Sequence, residues 1–244
     1  MEKIPAYMRV YKIIKREIID GEYAIGELLP PEPELEKRFN VSRTTVRRAV
    51  DILSREGFVV AKQGRGTQIL DYRTKQNLNM VTSISETLRK KGCKVRPKNM
   101  YIDTIEATPR LSADLGIPVG EKVVRVQRIQ LADEKPIAIM RNHLIPAMVP
   151  GIENYVNAIT SLYQFLEEQY NINIDSAFDR ISAKSADFTD AEMLQIPIGS
   201  ALLYMRRVCY ANGRPVCADR LSLVGDRYEL EINMEGRYKE DSMF

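Results

Sequence analysis

The chain is poor in the groups that most catalytic and metal centres need. It has a single histidine, His143, in 244 residues, and neither a triad context nor a Cys/His zinc-ligand spacing surrounds it. Its three cysteines, Cys93, Cys209 and Cys217, are odd in number and follow no metal-ligand spacing. They read as reduced thiols of a cytoplasmic protein rather than a disulfide framework. There is no glycine-rich nucleotide loop. The opening segment MEKIPAYMRVYK carries Glu2 and no apolar core of the signal-peptide kind. No apolar run is long enough to cross a bilayer. A net charge of +3 selects no class of partner by itself. No catalytic residue, cofactor, metal or membrane is therefore expected.

What the chain does have is pattern. Tyr7, Tyr11, Ile14 and Ile18 recur at the spacing of one helical face. Pro5 stands before that face and Gly21 after it, as at a helix start and stop. In IGELLPPEPELEKRF two prolines open a short helix with Leu35 and Phe39 four apart, and Asn40 suits a left-handed end. SRTTVRRAVDILSREGF follows. Ser42 suits an N-cap, Val46, Ala49, Val50 and Leu53 form its apolar face, and Gly57 ends it. Arg43, Thr44, Thr45, Arg47 and Arg48 crowd the exposed side and the N-terminal turn. FVVAKQGRGTQIL then reads as a hairpin with a basic, glycine-rich tip containing Lys62, Gly64, Arg65, Gly66 and Thr67.

Six Lys/Arg against two Asp/Glu between Ser42 and Thr67 make a basic patch that the overall charge hides. A charged helix alone would be a solvated surface helix. Helix, short helix, tight turn, helix and basic hairpin in this order are a winged helix-turn-helix, whose second helix enters the DNA major groove. Arginine bridges guanine O6/N7, threonine can meet a base edge, and a glycine-flanked arginine can enter a narrow groove. Residues 1–70 are thus expected to form a DNA-binding domain.

Residues 71–79, DYRTKQNLN, read as a polar linker. Beyond it, at a constant offset of 79, LGIPVGEKVVRVQRIQLADEKPIAI lies over LQIPIGSALLYMRRVCYANGRPVCA. Arg128 falls over Arg207, and Asp133-Glu134-Lys135 over the hairpin signal Asn212-Gly213-Arg214. Thr82–Ser85 and Ser161–Gln164 each open a helix at the same offset. Residues 80–244 are therefore expected to be a duplicated helix–strand–helix–hairpin unit, an antiparallel sheet flanked by helices in an α+β chain. Helix N-termini at Thr82 and Ser161 with strand arginines Arg128 and Arg207 point to a small anionic ligand.

LLPPEPELEKRFNVSRTTVRRAVDILSREGFVVAKQGRGTQI resembles the N-terminal domain of GntR-type bacterial transcription regulators. TSISETLRKKG, RIQLADEKPIAI, TSLYQFLEEQY and GDRYEL resemble the UTRA effector domain of their HutC branch, which has a chorismate-lyase-like fold. The resemblance implies operator contacts by Arg43, Thr44, Thr45 and Arg47, with Gly64–Thr67 as the wing. It implies a phosphate held by Ser85, Arg128, Ser161 and Tyr163 with backbone near Ile84. Pro31 and Pro33 depart from the family's Pro-Ser-Glu-Arg. Gln130 replaces a second arginine, and Met140 and Cys217 replace acids that bind sugar hydroxyls. An anion with a less hydroxylated body is expected.

The resulting expectation is a homodimeric, cytoplasmic, effector-released repressor of double-stranded operator DNA. The alternatives are a lyase-like enzyme fused to a DNA-binding domain and a constitutive DNA binder. His143 reads as structural and Cys217 as a buried thiol, although a reactive thiol stays open.

Overall fold

The computed structural model describes residues 5–62, 64–156, 158–232 and 234. Gln63 of the predicted hairpin tip, Glu2 of the opening segment and residues 235–244 lie outside them. The chain divides into two compact units, Met1–Arg73 and Thr74–Phe244.

In the first unit, α1 (Ala6–Ile19), α2 (Glu32–Phe39) and α3 (Arg43–Arg55) precede β1 (Val59–Lys62) and β2 (Gly66–Ile69). The core joins Val10, Tyr11, Ile14 and Ile18 of α1 to Leu35 of α2 and Val46, Ala49 and Leu53 of α3. Val10 rather than Tyr7 completes the buried stripe of α1. Tyr7 is only half-buried, and the Arg48 guanidinium lies over its ring, 4.0 Å from the ring centre. Asn40, at φ 50° and ψ 54°, ends α2 in the left-handed region, and Ser42 caps α3 by accepting the Thr45 N–H at 3.4 Å. No side chain caps α2. Pro31 and Pro33 lack N–H groups, so this helix start has fewer donors to satisfy. β1 and β2 pair antiparallel, and Leu28 bridges to Gln68 on the other side of β2.

The second unit comprises β3 (Thr74–Asn77), α4 (Ile84–Lys90), β4 (Val95–Glu106), α5 (Pro109–Leu115), β5 (Lys122–Ala132), β6 (Lys135–Leu144), two 3-10 turns (Pro146–Met148 and Ile152–Tyr155), α6 (Leu162–Tyr170), β7 (Ser176–Ser185), α7 (Phe188–Leu194), β8 (Ala201–Ala211), β9 (Arg214–Val224) and β10 (Tyr228–Glu231). β4-β5-β6-β9-β8-β7 form one six-stranded sheet, antiparallel throughout. β3 lies inside the stretch read as a linker. It pairs parallel with β10, and Tyr228 donates to buried Gln76 at 3.0 Å.

The strand order is a palindrome of the two repeats. Arg141 and Arg220, 79 apart, face each other where β6 meets β9, so a pseudo-two-fold axis passes through that pair. Backbone irregularities recur with it. The register shifts at Gln130/Leu131 and at Cys209/Tyr210. Gly120 and Gly199 both sit at φ 83°. Both hairpins turn through two positive-φ residues, Asp133-Glu134 and Asn212-Gly213, as the right-handed twist of antiparallel strands favours.

Alternation along the strands separates two faces. Ile84 and Leu88 of α4 pack with Met140 and Leu221, and Leu162 and Leu166 of α6 with Val126 and Cys217. On the opposite face Leu111 and Leu115 of α5 meet Val123 and Ala218, and Leu194 of α7 meets Ile139 and Val224. The first of these faces carries a small cavity with a polar lining.

Candidate functional site

In the first unit, α3 and the hairpin tip border one concavity of about 800 Å³. Its lining includes Arg43 and Arg47 of α3 together with Lys62, Gly64, Arg65, Gly66 and Thr67 of the hairpin. Four residues apart, the two arginines project from one side of α3. Glu32 at the start of α2 holds both, accepting Arg43 Nε at 2.8 Å and Arg47 Nε at 2.9 Å. These bonds hold the Glu32 carboxyl below its ordinary value and raise the Arg47 guanidinium. Both arginines engage Glu32 through Nε, so the outer nitrogens of each fork have no protein partner among the described residues. Those nitrogens are suited to the bidentate reading of guanine.

The other sequence-predicted positions differ in setting. The hydroxyls of Thr44 and Thr45 each lie 2.9 Å from Ser42 Oγ, so they are gathered at the cap. Arg48 is drawn over Tyr7 instead of into the concavity. Gly64 and Gly66 have φ of 72° and 101°, values that favour glycine. A Cβ on Gly64 would meet nothing within 4 Å, so the requirement at that position is conformational.

Two outcomes are expected at this face. Arg65→Ala weakens operator binding about tenfold, as for loss of one groove contact, and leaves the oligomeric state unchanged. Anisotropy titration with sedimentation checks both, and unchanged affinity would remove the wing from DNA reading. Glu32→Gln removes an anion beside both arginines and weakens its hold on their Nε groups. Non-specific DNA should bind several-fold tighter (about threefold or more) through the added net positive charge, while the operator-to-scrambled ratio falls. An unchanged ratio would mean that Glu32 does not orient the forks.

In the second unit a small cavity of about 10 Å³, room for roughly one water, is lined by Ser83, Ile84, Arg128, Met140, Asn142, Leu162, Tyr163, Arg207, Asp219 and Leu221. Of the eight effector positions read from the sequence, Ile84, Arg128, Met140 and Tyr163 reach it. Ser161 stands at the N-cap position of α6, without a side-chain capping bond, immediately before the lining residues Leu162 and Tyr163. Ser85 does not line the cavity: its hydroxyl donates to Gln130 Oε1 at 2.9 Å, and Gln130 in turn donates to the Arg96 carbonyl at 3.0 Å. Cys217 also stays outside the lining, its thiol donating to Asp219 Oδ1 at 2.9 Å. Ser83, not Thr82, caps α4, in a reciprocal box with Glu86.

The two repeat-related arginines have unlike surroundings. Arg207 is bound by both oxygens of Asp179 at 2.7 Å and by the Thr82 carbonyl at 2.8 Å. At the repeat-equivalent of Asp179 the first copy has Met100. Arg128, 1% exposed, has one hydrogen bond among the described residues, to Asn142 Oδ1 at 2.6 Å, and its Nε is buried without a partner. Burial lowers its pKa, opposed by the nearby Asp219. The Ser161 hydroxyl is likewise buried and unpartnered. A buried donor left unsatisfied costs about 1–3 kcal/mol.

Three polar groups of the site escaped sequence reading: Asn142, Asp179 and Asp219. Asp219 accepts Asn142 Nδ2 at 2.5 Å and the Tyr163 hydroxyl at 2.7 Å. A signal was present, because the offset of 79 places Asp219 over Met140 and Asp179 over Met100. Burial and the Asp219 charge push Tyr163 and Cys217 well above their ordinary pKa values, so both stay protonated and Cys217 is no thiolate nucleophile. His143 is buried, its Nδ1 donating to the Ala218 carbonyl at 2.8 Å, and burial depresses its pKa. It is a neutral strand residue.

A winged helix-turn-helix joined to a duplicated sheet with a buried polar cavity is the architecture of a ligand-responsive transcription regulator. Residues 6–69 match the gntR family of bacterial regulatory proteins and residues 90–229 match the UTRA domain. The chain belongs to the GntR family of regulators that carry a UTRA domain. It is 31% identical to the HTH-type transcriptional repressor NagR of Bacillus subtilis, over 92% of this chain and 93% of that one. It is 24% identical to a probable fructoselysine utilization operon transcriptional repressor of Escherichia coli K12, over 93% and 96%. The crystal structure of PhnF from Mycobacterium smegmatis has the same fold, with TM-score 0.65 at 24% identity over 93% of this chain and all (100%) of that one. These families are regulators and not enzymes, and the lyase-like alternative falls with that. The chain binds operator DNA through its first unit and a small-molecule effector through its second. Among the described residues no helix is long and apolar enough to cross a membrane.

Proposed function

We propose that the protein is a cytoplasmic, homodimeric repressor released from a two-fold operator by a small metabolite bearing a phosphate or carboxylate. Arg43 and Arg47 read the half-site while Arg65 enters the neighbouring groove. The anionic group is taken by Arg128, with Ser161 and Tyr163 as hydroxyl donors. The observation that carries this reading is Arg128 itself, a fully buried guanidinium with an orphan Nε and no acid bonded to it. The relatives named as repressors support the sign of regulation.

The cavity has room for roughly one water, so any metabolite must widen it. Ligand binding is then coupled to a conformational change, and by linkage a ligand that prefers the wider form lowers affinity for DNA if DNA prefers the closed one. The test is selection of bound duplexes from a random pool, then titration of the selected site with and without phosphate esters and carboxylates. Two inverted half-sites bound by two chains, and release by such an anion, are expected. A single half-site bound by one chain would overturn the dimer. Release by neutral compounds alone would overturn the anion.

A further inference from the structure

The pseudo-two-fold axis makes the cavity a comparison of the two repeats within one molecule. In the register of β5, β6, β9 and β8, one row across the sheet runs Arg128, Met140, Leu221, Met205. Its symmetry mate runs Arg207, Asp219, Asn142, Val126. The arginines are duplicated, but the inner positions are not: one row is apolar where the other has an amide and an acid.

The charges follow from this. Arg207 is neutralised by its two bonds to Asp179. That leaves Arg128 and Asp219, both 1% exposed, as one cation and one anion lining the cavity and joined through the Asn142 amide. The ordinary partners of a purely anionic ligand would be a surplus of cations. Here an added phosphate or carboxylate would share a low-dielectric space with the Asp219 carboxylate, and like charges repel strongly at that depth. A group that brings its own positive charge to Asp219 removes that conflict.

We propose that the effector is a zwitterion, with its phosphate or carboxylate on Arg128 and an ammonium group on Asp219. This deepens the anion reading above and rests on it. Asp219 is then the specificity-determining residue: Arg128 selects an anion, and Asp219 selects among anions for those with a nearby amine. The protonated Tyr163 donates to Asp219 in the small cavity. When an ammonium group takes its place, that hydroxyl is freed to serve the anion. Met140 and Leu221, the apolar row, contact the carbon body between the two charged ends.

The test uses the full chain and two probe pairs that differ only in the amine: 2-aminoethyl phosphate against ethyl phosphate, and β-alanine against propionate. Affinity is read by calorimetry and by the shift of melting temperature. In the wild type the amine-bearing member of the better-bound pair should bind about tenfold or more tightly than its partner, as for a charge-assisted hydrogen bond. In Asp219→Asn that preference should disappear, and the amine-free anion should bind more tightly than it does to the wild type. A wild type that binds ethyl phosphate or propionate as well as the amine-bearing partner overturns the proposal, whether or not the variant folds. An Asp219→Asn protein that folds, binds and retains the full preference also overturns it, since a merely structural Asp219 would leave the ratio unmoved. If neither protein responds to any of the four probes, the anion reading of Arg128 is what fails, and the zwitterion falls with it.

Discussion

Arg128→Ala is expected to bind operator DNA like the wild type and to remain bound when effector is added; in cells it is an uninducible repressor. Arg128 is the cavity cation without a bound carboxylate, whereas Arg207 already has Asp179. Removing a charge-assisted donor weakens ligand binding by about 1.5–3 kcal/mol per bond. Release follows only from the difference in ligand affinity between the DNA-competent and DNA-incompetent forms, so losing the ligand contact abolishes release without altering the reading helix. The substitution also leaves Asp219 buried without its offsetting charge, a loss on the order of 3 kcal/mol in stability. Arg128→Lys controls for this: it retains the charge as a single point without the fork, and intermediate release is expected. Operator binding with and without effector, measured for all three proteins alongside melting temperatures, checks the chain of argument. An Arg128→Ala protein released at the wild-type effector concentration would sink the assignment.

Arg47→Ala should lower operator affinity by about one to two orders of magnitude, as for loss of a bidentate guanine contact, with a much smaller loss on scrambled DNA. The geometry makes this prediction sharper for Arg43 and Arg47 than for Arg48. The first two share Glu32 and line the concavity with the hairpin tip, while Arg48 lies over Tyr7. Arg48→Ala should therefore change both affinities alike. Mobility-shift titrations on both DNAs separate the cases: equal losses for Arg47→Ala would make it a phosphate contact only.

What could be read from the chain was local. The cap at Ser42, the left-handed Asn40, the apolar stripe of α3 and the two hairpin turns are decided by residues within a few positions of one another, where spacing and backbone preference act directly. The repeat was legible because both copies retain the same turns at a constant offset of 79, and the palindromic strand order follows once the copies pair edge to edge. Spacing alone does not separate Tyr7 from the α1 core, because nothing local reveals that Val10 takes the buried position while Arg48, forty-one positions later, stacks on Tyr7.

Tertiary structure alone decided the partners. β3 looked like a linker because its residues are polar, and only pairing with β10, across some 150 residues, buries Gln76 against Tyr228. The resemblance implies Ser85 as a phosphate contact, yet its hydroxyl bonds Gln130, the residue that replaces an arginine. Asp219 became part of the cavity because β6 and β9 meet at the pseudo-axis and bring Asn142 beside it. The sequence by itself determined the winged helix-turn-helix and the duplicated antiparallel sheet. Whether an arginine is free to receive a ligand depends on which acid the neighbouring strand places beside it. That pairing is non-local, so Arg128 and Arg207, equivalent in the repeat, became distinct only in the folded sheet.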